Sequence, residues 1–141
     1  MFHFKHSVVD VAIICSHFEQ SLHFYRDLLG FEPVLDIQIP ASTAVGAHLA
    51  PTAFRQIRLK AGQTLIKLVE VPNPPPPRTL DFQAGVRWLT FIIEDVPGTV
   101  RALKAKGVKF CADPVSAPDA KHVVCAEGPD GILIELVELH S

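Results

Sequence analysis

Lys67 and Glu135 stand at the same place in two nearly identical segments, LIKLVEV from Leu65 to Val71 and LIELVEL from Leu133 to Leu139. A carboxylate there can accept a proton or hold a cation, whereas a protonated lysine offers donors and no lone pair. Asp10 and Trp88 form a second equivalent pair, each in the apolar run that opens its half of the chain. An indole adds a large apolar surface and a single N–H donor. Acid-base chemistry would use Glu135 or Asp10 as proton acceptor, with Lys67 or Arg58 stabilising a developing enolate or alkoxide. Without catalysis, the same residues would line a binding site.

Two copies of one plan must position them. In the first, Val8 to Cys15 is a β-branched run that reads as a buried strand. Ser16 and Glu19 have capping-box spacing, Leu22, Tyr25, Leu28 and Leu29 recur at helical intervals, and Gly30 follows. A helix from about His17 to Leu29 is predicted. Strands then span Glu32 to Ile39, Phe54 to Ala61 and Thr64 to Val71, with a tight turn at Ala61-Gly62-Gln63. The order is β-α-β-β-β, over residues 8–71.

Asn73 to Arg78, with four consecutive prolines, can continue neither strand nor helix and marks a stiff linker over residues 72–83. The second module, residues 84–139, repeats the plan. A strand from Val86 to Glu94 leads to a helix opened by Asp95 and Pro97 and stopped by Gly107. Strands follow near Lys109 to Ala112, His122 to Ala126 and Ile132 to Leu139, the last after the turn Gly128-Pro129-Asp130-Gly131. Asp10 and Trp88 are 78 residues apart while Lys67 and Glu135 are 68 apart, and the difference localises to an insertion, Pro40 to Ala53. That segment is expected to be a lid or dimer-contact loop.

The chain of 141 residues, with 48 % hydrophobic and 20 % charged residues and a formal charge of −2, is globular and lacks a basic field for nucleic acid or a membrane surface. Cys15, Cys111 and Cys125 read as buried free thiols of a reducing compartment, and no secretory leader is evident, so a cytoplasmic protein is expected. No nucleophile elbow, P-loop, CxxC pair or dinucleotide fingerprint is present.

DVAIICSHFEQSLHFYRDLLGF at 10–31, WLTFIIEDV at 88–96 and GPDGILIELVE at 128–138 together resemble the vicinal oxygen chelate superfamily, which includes glyoxalase I, bleomycin-resistance proteins and extradiol dioxygenases. The resemblance covers almost the whole chain. It implies an α+β fold of two tandem βαβββ modules forming a cupped mixed sheet, a single domain, and a homodimer. It also implies a metal held by one side chain from the first and one from the last strand of each module, here Asp10, Lys67, Trp88 and Glu135. Only Glu135 fits the family's usual ligands, since Lys67 and Trp88 supply no lone pair. No metal cofactor is therefore expected. Two carboxylates, Asp10 and Glu135, would hold a divalent ion weakly, and a displaced site recruiting His122 is the alternative.

Alternation along each strand adds the other candidates. If Leu89, Phe91 and Ile93 face the helices, Trp88, Thr90 and Ile92 face the cavity, and Gln56 and Arg58 do so if Ile57 and Leu59 form core. Asp36, Gln38 and His122 extend the set, all of it dependent on register. Each residue has a plainer role open to it: an ion pair of Lys67 with Asp10 or Glu135, Trp88 as core, Arg58 and His122 as solvated or packed strand residues. His17, His23, His48 and Cys125 show no partner spacing. The expected function is binding of a small organic molecule, with a glyoxalase- or epimerase-like lyase or isomerase as the alternative.

Overall fold

The computed structural model describes residues 1–141, divided into two compact units, Met1–Pro76 and Pro77–Ser141. The division falls in the proline run, which adopts no regular structure, because proline cannot donate to a ladder. The first unit runs β1 (Val11–Ile14), α1 (Phe18–Leu22), β2 (Glu32–Ile39), α2 (Ala41–Gly46), β3 (Phe54–Ala61) and β4 (Thr64–Glu70). Its sheet has the order β1-β4-β3-β2 and is mixed: β1 runs parallel to β4 and the other pairs are antiparallel.

The expected long helix is present in two geometries. α1 continues without a break into a π-helical stretch, His23–Leu28. His17, and not Ser16, is the N-cap, and its side chain makes no capping hydrogen bond. Gly30 follows at φ 78°, the left-handed geometry that ends a helix. α1 packs on β4, and Ile13, Ile57, Leu59, Ile66 and Leu68 are buried. Full burial of one such side chain is worth about 1.5–3 kcal/mol.

Arg55 ties this side of the sheet together. Its Nε and Nη2 donate to Asp36 at 3.0 and 2.8 Å, its Nη1 lies 3.6 Å from Glu70, and its guanidinium stands 5.2 Å over the Phe18 ring. The hydrogen bonds from Arg55 hold the Asp36 carboxyl below its ordinary range.

The second unit runs β5 (Trp88–Ile92), α3 (Val96–Ala105), β6 (Val115–Ala117), β7 (Ala120–Glu127) and β8 (Leu133–Glu138), with sheet order β5-β8-β7-β6. Asp95 caps α3 by accepting from the Gly98 N–H at 3.0 Å, and Glu138 accepts from the Val96 N–H at 2.9 Å. Both satisfy donors that a helix start leaves unpaired. No strand forms at Lys109 to Ala112; a single bridge joins Phe110 to Ala126, and the second strand of the unit lies further on, at β6. The turn before β8 needs Gly131, whose φ is 74° and whose added Cβ would lie 2.7 Å from the Thr79 carbonyl oxygen. Both units thus realise the βαβββ plan, the first with an inserted helix, and no helix is long and apolar enough to cross a membrane.

The insertion differs from a free loop. α2 buries Ala44 completely against Phe54 and Val69, with Ile39, Ala50 and Val71 packed around them. Ala44→Asp would place an unpaired charge in this cluster, so it should destabilise the unit by several kcal/mol and make 40–53 the first site of proteolysis. In the parent protein this segment should resist cleavage at least as well as Asn73 to Arg78; a parent cut first within 40–53 would show the packing to be transient.

Candidate functional site

Strand parity sorts each sheet into two faces. In the first unit, Arg55 stands over Phe18 of α1, so Arg55, Ile57 and Leu59 face the helix, and Gln56 and Arg58 face away from it. Register then fills that second face. Arg58 pairs with Lys67 on one side and Leu35 on the other; Lys67 pairs in turn with Ala12, and Gln56 pairs with Val69 and Ile37. α2 covers one end of this face through Phe54 and Val69. The remainder presents a row across four strands: Ala12, Lys67, Arg58, Leu35.

Arg58 is oriented by Gln56, a buried side chain (7 % exposed) whose Oε1 accepts from the Arg58 Nε at 2.6 Å. Lys67 is half-buried. Asp10, expected as its counter-charge, instead accepts the Leu65 N–H at 2.9 Å, extending the β1–β4 edge. It lies two residues ahead of Ala12, on the same face but one row away from Lys67. A cavity of about 690 Å³ opens beside it, lined among others by Lys5, His6 and Gln63.

In the second unit, α3 packs on β7 and β8, and Lys104 of α3 stands over the ring of Phe110, the bridge partner of Ala126. Ala126 and its register partner Ile134 therefore lie on the helix face. The opposite face carries Trp88, Thr90 and Ile92 of β5, Leu133, Glu135 and Val137 of β8, and Val123, Cys125 and Glu127 of β7. Thr90 Oγ1 donates to Glu135 Oε1 at 2.5 Å, a charge-assisted bond that fixes the carboxylate. Trp88 is 47 % and Ile92 63 % exposed, so the indole is not core.

Three expected placements are overturned by register. His122 pairs with Glu138, whose carboxylate caps α3, and so lies on the helix face. Asp36 and Gln38 share the face of Arg55, and Asp36 is engaged by it. Lys67, Arg58, Gln56, Trp88, Thr90 and Glu135 are on the faces expected. Cys125 was missed. It is the register partner of Glu135, and Cys111 donates its N–H to the Cys125 carbonyl at 2.9 Å, so the row reads Thr90, Glu135, Cys125, Cys111. Nothing in sequence spacing signals this, because the two thiols are separated by 13 residues that include β6 and the first part of β7. Burial first, then Glu127, raises the Cys111 thiol pKa; burial first, then Glu135, raises that of Cys125.

The donor set does not suit a divalent ion. Lys67 and Trp88 occupy two of the four family positions without a lone pair, Asp10 is spent on a backbone N–H, and neither unit gathers three His, Cys, Asp or Glu around one point.

The comparisons agree with this architecture. A sequence model of the Glyoxalase/Bleomycin resistance protein/Dioxygenase superfamily matches residues 7–136, and the chain belongs to that superfamily. The protein YwkD of Bacillus subtilis is 30 % identical over 135 residues, covering 94 % of this chain and 96 % of that one. A glyoxalase family protein from Bacillus cereus has the same fold, with a TM-score of 0.78 at 19 % identity, covering 100 % of this chain and 99 % of that chain. TnmS3, an antibiotic binding protein from Streptomyces sp. CB03234, superposes with a TM-score of 0.67 at 22 % identity, covering 98 % and 100 %.

The row across the second unit gives a direct check. Cys125 should be alkylated slowly at pH 8, and Glu135→Gln, by removing a neighbouring negative charge that favours the neutral thiol, should lower its pKa and speed the reaction. Peptide mass spectrometry of iodoacetamide-treated protein reads both. An unchanged rate at Cys125 would mean that Glu135 does not face it.

Proposed function

We propose that this protein binds a small organic molecule on the sheet faces opposite α1 and α3 and needs no resident divalent metal. The observation that carries the reading is Trp88, a half-exposed indole beside exposed Ile92 and the hydrogen-bonded Thr90–Glu135 pair. Large apolar side chains left open next to a fixed polar group are how ligand sites combine affinity with orientation. TnmS3, a protein of the same fold, is named as an antibiotic binding protein, which supports the binding reading. We further take the protein to be a cytoplasmic homodimer; its three free cysteines fit a reducing compartment.

A second reading rests on the same pair. A carboxylate held by a hydroxyl is oriented as a proton acceptor requires, so Glu135 would serve a lyase or isomerase of glyoxalase or epimerase type. Binding and catalysis separate cleanly: solvent deuterium enters a carbonyl ligand at the adjacent carbon only in the second case, and Glu135→Gln abolishes it.

Screening small carboxylates, aromatic acids and acyl thioesters by intrinsic fluorescence should find ligands that perturb Trp88, the single tryptophan. Trp88→Phe should remove the signal and weaken calorimetric binding about tenfold, the order of one well-placed aromatic contact. Affinity untouched by Trp88→Phe places the site elsewhere. Elemental analysis of purified protein should find far less than one Ni, Zn, Fe or Mn per chain; one per chain overturns the metal-free reading.

A further inference from the structure

We infer that the face of the first unit's sheet opposite α1 is an anion subsite, in which Arg58 and Lys67 together take the carboxylate, or a comparable single anionic group, of an otherwise apolar ligand. The inference rests on the binding reading above and names the class of molecule bound.

The argument begins with an electrostatic conflict. Arg58 and Lys67 are register partners on adjacent antiparallel strands, which brings their side chains together on one face, and like charges placed directly opposite destabilise a sheet. Both are half-buried, so solvent screens them less than it would at a free surface. Within their unit the conflict is not relieved. No carboxylate of the unit pairs with either cation: Asp36 and Glu70 are engaged by Arg55 on the other face, and Asp10, one row away, accepts the Leu65 N–H through one oxygen and forms no ion pair with Lys67 or Arg58.

The pair is also built. Gln56 is buried, and its carbonyl oxygen accepts from the Arg58 Nε. That contact fixes the guanidinium while leaving its two terminal nitrogens free to donate. A guanidinium so held presents a planar fork to a carboxylate, and the neighbouring ammonium adds a point charge. Around the cations the face is apolar: Ala12 and Leu35 flank the row, Ile37 and Val69 lie in the next one, and Ile14, two residues beyond Ala12, is 41 % exposed. α2 walls off one end. A single anionic group with an apolar body matches this arrangement, whereas a polyanion would meet mostly hydrocarbon.

The test uses 2-naphthoate and its neutral isostere 2-naphthamide, compared by calorimetry and thermal melting at low, constant ionic strength. The inference predicts saturable binding of the acid, at least tenfold weaker binding of the amide, and about a tenfold loss of acid affinity in both Arg58→Gln and Lys67→Met, with Lys67→Arg largely retaining it. Ligand-free Lys67→Met and Arg58→Gln should melt at or above the parent temperature, because each removes one of two opposed cations. Equal binding of acid and amide, or acid affinity unaffected by both variants, overturns the anion subsite while leaving the binding function in place. Failure of the acid to bind, or a ligand-free Lys67→Met that melts well below the parent, also overturns it, the latter by showing that Lys67 is a structural ion-pair member.

Discussion

α1 and α3 each pack on one face of their sheet, and the two-residue period of the strands therefore decides what every side chain can do. α1 and α3 claim the residues that alternate toward them, and those positions are filled by Ile57, Leu59, Ile66 and Leu68 in one unit and Val124, Ala126, Ile134 and Leu136 in the other. Everything between those positions is forced to the opposite face. A slip of one residue in β4 or β8 would bury Lys67 or Glu135 under a helix and expose the core, at a cost of several buried side chains. The register is thus held by hydrophobic burial on one face, and the chemistry of the other face is carried along with it.

Duplication has left the two units alike in backbone and opposed in charge. Equivalent places in the last strands hold Lys67 and Glu135. Around each, the neighbours have followed suit: Arg58 stands beside Lys67, while Thr90 and Cys125 stand beside Glu135. In the second unit, the carboxylate accepts from a hydroxyl, and burial first, then this carboxylate, raises the neighbouring thiol pKa. In the first, the positive pair finds no such partner within the unit. A fold of this kind tolerates the conflict because the cost of one unfavourable cross-strand pair is about 1 kcal/mol, small against the burial on the other face.

The helical insertion shows a similar division of labour. α2 is short, uncapped by any side chain and weak in intrinsic stability. It is held by Ala44, Phe54 and Val69, residues of the same face that carries Gln56 and Arg58. The wall of the candidate site and its floor are therefore parts of one packing unit.

The sequence by itself determined the element order, the bounds of β2 and β3, the cap at Asp95, the break at the proline run and the superfamily. These rest on local causes: β-branched alternation, proline's missing donor, glycine's access to positive φ. Alternation also put Arg58, Gln56, Trp88 and Thr90 on the faces expected, because apolar neighbours mark the helix face in those strands, and the superfamily resemblance did the same for Lys67 and Glu135. It failed for Asp36, Gln38 and His122. In β2 the register shifts between Pro33 and Leu35, and in β7 the apolar run from Val123 to Ala126 gives no clean alternation from which to count. The helix inside the insertion was likewise invisible, since Ala, Ser, Thr and Val at its positions favour no element strongly until Phe54 and Val69 offer a surface to cover. Partners were the part that only tertiary structure could decide. Asp10 went to a backbone N–H, Asp36 to Arg55 and Cys125 to the side of Glu135, because which groups meet depends on which strands are neighbours, a long-range property that no single strand encodes.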